Sequence, residues 1–296
     1  MGDKAKIAWI GLGKMGQPMA GNLVQKGYSL TVYDVVKDRG TELSAMGAAV
    51  AASPEEAARQ ADVIISMIPD DRVLEAISFG AGGAFGGART GAVFIDMSTV
   101  SPGVSARTAQ AAEQKHIAYL RAPVSGSTAL AATGSLTIFV SGPKEAYETC
   151  LSIFHCIGQK VFHVGTGEEA RYLKLVLNMM VGLTSAMMAE ALTFGEAGGM
   201  NWEQMIDIIN ASVVASPLVA YKSEPLKTRN YAPTFSVKQM AKDFDLMLGA
   251  GRSSNVPTPV TALVRQFYGT LIANGKGEED FFALVKLVEG MAGIKA

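Results

Sequence analysis

Cysteine and histidine are both scarce in this chain of 296 residues, which holds two of the first and three of the second. Two thiols cannot staple a fold of this size. Cys150 and Cys156 stand six positions apart in a stretch that reads as helix, which turns them about 240° from each other around its axis. They are expected to be small packing residues of a reducing compartment. His116, His155 and His163 form no cluster with acids or thiols at ligand spacing, so no metal is expected. An excess of one charge is missing too. With 26 basic and 27 acidic residues the net charge is -1, which excludes the wide positive field that nucleic acid or anionic lipid would need. Finally, no basic segment followed by a long apolar run opens the chain, since Lys6 leads straight into Ile7-Ala8-Trp9-Ile10. A secretory leader is therefore not expected, and the cytoplasm is the expected location.

What is present is apolar: 49% of the residues are hydrophobic and 18% charged, enough to bury a large core. The length exceeds what one hydrophobic core usually fills, so about two domains are expected. From residue 6 to about 165, apolar runs alternate with amphipathic stretches: Ile7 to Ile10, Leu30 to Tyr33, Val63 to Ile68, Val93 to Ile95 and Leu136 to Val140. That alternation predicts a mostly parallel sheet with crossover helices. Consecutive apolar residues such as Val63-Ile64-Ile65 predict strands covered on both faces.

After Gly165 the pattern becomes helical, which sets a boundary between domains 1–165 and 166–296. A long helix is predicted over roughly Glu168 to Gly198, and between Leu175 and Ala189 its polar side chains are Asn178, Thr184 and Ser185 alone. Such a helix is either a membrane span or the spine of a packed core. Lys174 and Glu190 bound a stretch shorter than the ~20 apolar residues a bilayer needs, so the core reading is preferred and no membrane association is expected. Further helices are predicted near 201–212, 236–250, 258–274 and 278–291. The fold class is thus α/β: an N-terminal Rossmann-like sheet domain, a long interdomain helix and an all-α C-terminal domain.

Residues 11–16 read Gly11-Leu12-Gly13-Lys14-Met15-Gly16, between the first strand and a helical stretch. In that setting the first glycine permits a tight turn, the second lets backbone approach a pyrophosphate, and the third lets helix and strand pack closely. Phosphates then lie at a helix N-terminus, and Pro18 suits a first helical turn. The second strand ends in Asp34, about 20 residues beyond the glycines, where a carboxylate accepts the ribose hydroxyls of a dinucleotide. The same charge repels a 2′-phosphate, so NAD is favoured, with NADP possible. Lys37 and Arg39 stand close enough to receive a phosphate, or simply open a solvated helix.

The ordered series formed by the glycine loop through Leu23, Gly27-Tyr28, Met67-Ile68-Pro69, Asp96-Met97-Ser98-Thr99-Val100-Ser101-Pro102, Ala122-Pro123-Val124-Ser125-Gly126, and Phe235 with Lys242-Asp243 resembles the β-hydroxyacid dehydrogenase family over nearly the whole chain. That family includes 3-hydroxyisobutyrate dehydrogenases and tartronate semialdehyde reductases. The resemblance implies an oxidoreductase passing hydride between a nicotinamide cofactor and a small β-hydroxy or semialdehyde acid. It implies cofactor contacts from Gly11, Leu12, Gly13, Met15, Gly16, Asp34, Met67, Pro69, Thr99, Phe235 and Lys242. Ser125, Gly126, Ser127 and Lys242 are implied to hold the substrate carboxylate, with Lys174 and Asn178 catalytic. Read without the family, Thr99 is an N-cap before a helix beginning near Ser101, and the Ser125-Gly126 segment is a turn of small residues.

Spacing agrees with one part of this, because Lys174 and Asn178 are four apart and so share a helix face. Apolar neighbours disfavour a lysine ammonium, which suits proton exchange, although a lysine of this kind also packs its stem and snorkels its head to water. The chain departs from the family at three places: Arg121 stands where an Asp is common, Ser127 where a second Gly is common, and Leu177 where a second Asn is common. Arg121 either binds a second anionic group or pairs with a distant acid. Imine reduction and a non-catalytic NAD(P)-binding module are the alternative functions, and Lys174 argues against both. By analogy, an apolar helical domain of this sort pairs with a copy of itself, so a homo-oligomer, dimer or tetramer, is expected.

Overall fold

The computed structural model describes residues 4–294. Contacts within the chain divide it into two compact units, with the division between Lys174 and Leu175.

In the first unit the described strands are β1 (Ile7–Ile10), β2 (Leu30–Tyr33), β3 (Ala49–Val50), β4 (Val63–Ser66), β5 (Val93–Asp96), β6 (Ala118–Arg121), β7 (Val124–Ser125), β8 (Leu136–Ser141) and β9 (Gly158–Gly165). They form one sheet in the order β3-β2-β1-β4-β5-β6-β8-β7, with β9 paired to β8. Pairing is parallel from β3 to β6 and between β8 and β9, while β8 runs antiparallel to β6 and β7. The register places Ile10 beside Tyr33 and Ser66, Ser66 beside Asp96, and Asp96 beside Arg121. The C-terminal ends of five strands therefore finish at one level, where ligands of open α/β sheets bind.

Helices α1 (Gly16–Gln25), α2 (Thr41–Ala45), α3 (Pro54–Ala58), α4 (Asp71–Ser78), α5 (Ala84–Gly87), α6 (Pro102–Glu113), α7 (Thr128–Ala132) and α8 (Lys144–Ile157) complete this unit. Alternation along the strands explains the two cores. Trp9, Val32, Ile65 and Ile95 face one way and pack with Leu23 of α1 and Phe154 of α8, whereas Ala8, Ile64 and Phe94 face the other and pack with Leu74 of α4 and Val104 of α6. Both faces are covered, as the continuous apolar runs predicted. Cys150 and Cys156 are both free thiols of α8. One expectation fails: Thr99 is not the cap of α6. Ser101 is, its hydroxyl accepting from the Val104 amide at 3.1 Å, with Pro102 as the first helical residue.

Helix α9 (Glu169–Ala197) runs unbroken across the division between the units. Its length and composition alone would let it cross a bilayer, with mean hydropathy 1.5 over its most apolar window. Yet Leu175, Met188, Ala189 and Leu192 are buried in the core of the second unit. That unit continues with α10 (Trp202–Ala211), α11 (Pro217–Lys227), α12 (Val237–Ser253), α13 (Pro259–Ala273) and α14 (Leu284–Met291). Helix α11 is not among the helices predicted from the sequence. Pro217 occupies the first turn after the Ser216 cap, where a missing N–H costs little, whereas Pro225 lies inside the helix and removes one of its backbone hydrogen bonds.

Candidate active site

The glycine loop leaves β1 and enters α1 through three glycines with separate jobs. Gly11 has φ of +97°, and a Cβ there would lie 2.3 Å from the Met67 carbonyl oxygen, so the turn against β4 excludes any side chain. Gly16 brings α1 onto the loop so closely that a Cβ would lie 2.0 Å from the Gly11 carbonyl oxygen. That carbonyl also accepts from the Trp9 indole at 2.9 Å, which braces the turn from the core. Gly13 meets nothing within 4 Å where its Cβ would be. Open space beside bare backbone, next to a helix N-terminus, is what a pyrophosphate needs. The loop therefore fits a dinucleotide.

Asp34 follows β2 and stands beside the loop. One carboxylate oxygen accepts from the Leu12 amide at 2.7 Å and the other from the Val36 amide at 2.8 Å. These bonds aim the carboxylate, and its Arg39 partner, at 3.3 Å, shows that the base closest to hand is already engaged by the acid. Leu12 buries its side chain in the core and offers the site backbone only; Met15 is half-buried against the same core.

Met67 and Pro69 follow β4, and Thr99 follows β5, so the sheet order places these segments side by side. Between them lies a buried polar cluster that sequence reasoning did not foresee. Asp96, at the end of β5, accepts from the hydroxyls of Ser66 at 2.7 Å and Ser98 at 2.6 Å, and from the Arg171 guanidinium at 2.5 Å. Arg171 is 1% exposed. Burial opposes its charge, yet Tyr119 and Asp96 more than offset this, and its pKa is raised. Arg121, one strand over, donates to Glu168 at 2.5 and 2.9 Å and lies over the Tyr119 ring. Of its two readings, the structure therefore shows the paired one.

Ser125 ends β7, half-buried, and Gly126 follows with φ of +141°. Ser127 then caps α7, its hydroxyl accepting from the Leu130 amide at 3.4 Å. The three make a turn of small residues whose amides and Ser125 hydroxyl suit an oxyanion.

Lys174 and Asn178 stand one turn apart on α9, both half-buried. Within the second unit Asn178 donates its side-chain amide to Asp243 at 2.6 Å, and Lys242 lies 2.9 Å from the other Asp243 oxygen. Asp243 is 1% exposed, so one buried carboxylate holds two of the predicted residues. Phe235 meets Phe281 edge to face, and its carbonyl accepts from the Phe281 amide at 3.1 Å. That segment is fixed further by Asp280, which receives the buried Lys222 ammonium at 2.8 Å and the Thr234 hydroxyl at 3.0 Å. Asp96, Arg171 and Asp243 were missed as partners because a single buried carboxylate or guanidinium leaves no periodic signal. A polar residue ending an apolar strand, with an arginine on an apolar helix, was the available cue.

Comparison with known proteins extends this picture over the whole chain. Residues 6–165 match the family model described as the NAD binding domain of 6-phosphogluconate dehydrogenase. Residues 167–288 match that described as NAD-binding of NADP-dependent 3-hydroxyisobutyrate dehydrogenase. A 2-(hydroxymethyl)glutarate dehydrogenase of Eubacterium barkeri is 35% identical, covering 99% of this chain and 98% of its own. An NAD-dependent L-serine dehydrogenase of Pseudomonas aeruginosa is 34% identical, covering 97% and 99%. The solved structure of Mycobacterium tuberculosis 3-hydroxyisobutyrate dehydrogenase with L-serine superposes with a TM-score of 0.89 at 27% identity, covering 96% of this chain and 99% of that one. With a dinucleotide loop that fits its ligand and relatives matched end to end, the chain belongs to the β-hydroxyacid dehydrogenase family of nicotinamide-dependent oxidoreductases.

Proposed function

We propose that this enzyme oxidises the hydroxyl of a small β-hydroxy acid, or reduces the corresponding semialdehyde acid, with Lys174 as general acid and base. The observation that carries the reading is the lysine itself, one turn before an asparagine anchored by a buried aspartate. When bound, the nicotinamide ring accepts or gives the hydride. The Lys174 amine takes the proton of the substrate hydroxyl during oxidation and returns it during reduction. Asn178 commits one N–H to Asp243 and keeps its carbonyl and second N–H for the substrate. Ser125 and the amides around Gly126 and Ser127 receive the carboxylate, and the family resemblance gives Lys242 a part in substrate binding.

Asp34 favours NAD over NADP by repelling a 2′-phosphate, with its carboxylate already aimed by the Leu12 and Val36 amides. Met15, Met67, Pro69, Thr99 and Phe235 line the cofactor in this reading. A homo-oligomer in the cytoplasm is part of the same proposal. Supporting self-association, α9 exposes Val176 (50%), Met180 (64%), Met187 (53%) and Phe194 (84%) along one helical face.

The test is a screen of small hydroxy acids and semialdehydes with NAD and NADP, followed by Lys174→Met on the best substrate. Losing a general acid or base costs about 10² to 10⁴ in rate, whereas NAD titration should be almost unchanged because the glycines and Asp34 are intact. Alcohol oxidation by the wild type should quicken as pH rises, since only the neutral amine accepts a proton. A mutant keeping more than about a tenth of wild-type kcat would remove Lys174 from this role.

A further inference from the structure

Arg171 lies three residues before Lys174 on α9, so the two share one helix face. Its guanidinium is spent on the sheet domain. It donates to Asp96 at 2.5 Å, to the Ser98 carbonyl at 2.8 Å, to the Tyr119 hydroxyl at 2.9 Å and to the Ser105 hydroxyl at 3.1 Å. Asp96 in turn accepts from Ser66 and Ser98, and the Ser98 hydroxyl accepts from the Ile68 amide at 2.9 Å. A single guanidinium thus joins the first turn of α9 to the segment Met67-Ile68-Pro69 after β4 and to Ser98-Thr99 after β5. Burial keeps the Tyr119 phenol protonated by raising its pKa, with Arg171 pulling the other way, so the hydroxyl remains a neutral partner.

We infer that Arg171 is a positioning residue for the hydride-transfer reaction, holding Lys174 in a set place relative to the two loops that line the nicotinamide side of the cofactor groove. The inference rests on Lys174 being the proton-transfer residue. Its physical basis is the fork of the guanidinium, whose fixed, diverging donors tie three elements at once, which an ammonium cannot imitate. Loss of that tie leaves the glycine loop and Asp34 untouched, because none of its bonds reaches them, but lets the first turn of α9 shift. A displacement of about 1 Å in a reacting group costs about a hundredfold in rate.

The experiment compares Arg171→Lys, Tyr119→Phe and Lys174→Met in the full-length enzyme, with activity normalised to the number of NAD-binding sites. Arg171→Lys should lower kcat about a hundredfold while KM and the NAD dissociation constant stay within about threefold of wild type. Tyr119→Phe removes one acceptor and keeps the ion pair; it should lower kcat about fivefold, the worth of one hydrogen bond. Amide exchange at Ile68 and in the first turn of α9 should rise together in both variants, with residues 11–16 unchanged. A kcat within threefold of wild type in Arg171→Lys, beside an inactive Lys174→Met, overturns the positioning role. So does a loss of activity matched by a loss of NAD-binding sites, which marks a purely structural arginine. If Arg171→Lys fails to fold, Tyr119→Phe with unchanged kcat and exchange overturns it equally. Turnover surviving in Lys174→Met strikes the proton-transfer reading instead.

Discussion

Exchanging Gly13 and Gly16 separately for alanine should split cofactor binding from folding, although the two are three residues apart in one loop. At Gly16 the new methyl would lie 2.0 Å from the Gly11 carbonyl oxygen and 3.2 Å from the Trp9 indole nitrogen. The first contact is with backbone, which a rotamer change cannot relieve. Alanine's better helix propensity returns at most about 1 kcal/mol, while overpacking costs about 1–3 kcal/mol. The thermal midpoint should therefore fall, by up to about 12 °C. At Gly13 the methyl meets nothing within 4 Å, and a residue with ordinary backbone angles gains about 0.4–1 kcal/mol from a less flexible unfolded chain. Gly13→Ala should keep or slightly raise the midpoint. Its methyl instead stands where the pyrophosphate approaches and displaces about one charge-assisted hydrogen bond of 1.5–3 kcal/mol, weakening NAD about ten- to hundredfold. The assay is thermal unfolding of apoenzyme and of enzyme with NAD at a hundred times the wild-type dissociation constant, where the wild type gains about 2.7 kcal/mol. Gly13→Ala should keep only about 0.4–1.4 kcal/mol of that gain. A Gly13→Ala enzyme stabilised by NAD as strongly as wild type, or a Gly16→Ala enzyme with an unchanged midpoint, would refute the division of labour.

Asp34→Ser removes the charge facing a 2′-phosphate and releases Arg39, now 3.3 Å from Asp34, to receive one. The ratio of NAD to NADP kcat/KM should move toward NADP by about tenfold or more, since each 1.4 kcal/mol of charge-assisted bonding is a factor of ten; unaltered selectivity would contradict this. Arg121→Ala strands Glu168, so it should cost about 3 kcal/mol of stability, read from denaturant unfolding. Its effect on KM should be equal for mono- and dicarboxylic substrates, and a selective rise for the second would restore an anion-binding role. Met187→Glu with Phe194→Glu should shift the enzyme toward smaller species in sedimentation, because both side chains are exposed on the second half of α9; an unchanged distribution would place any self-association elsewhere.

Features that repeat along the chain were legible before the structure. The runs at Ile7, Leu30, Val63, Val93 and Leu136 became β1, β2, β4, β5 and β8, and the stretch from Glu168 became α9 within one residue at each end. A buried strand or core helix is built from many similar residues, so its signal accumulates over its length. The short strands β3 and β7 and the capping of α6 by Ser101 instead of Thr99 depend on one or two residues and on where the sheet happens to end. Helix α11 holds a proline in its interior, Pro225, where local sequence argues against a helix and packing overrides it.

The candidate site divides along the same line. Gly11, Gly13, Gly16 and Asp34 were readable because each answers a local requirement of backbone or charge within one βαβ unit. Asp243 and Arg171 were not, since their meaning lies in partners 65 positions away at Asn178 and 75 positions away at Asp96. Both are buried groups whose charge is tolerable only where those partners have already been brought. A charge so placed holds its neighbours in one arrangement, because moving either partner leaves the other stranded in a dry interior. That is the property a hydride-transfer site needs beneath it. The residues that touch substrate can then be few and scattered in sequence, while Asp96 with Arg171 in the first unit, and Asp243 with Asn178 in the second, each keep their own segment in one arrangement.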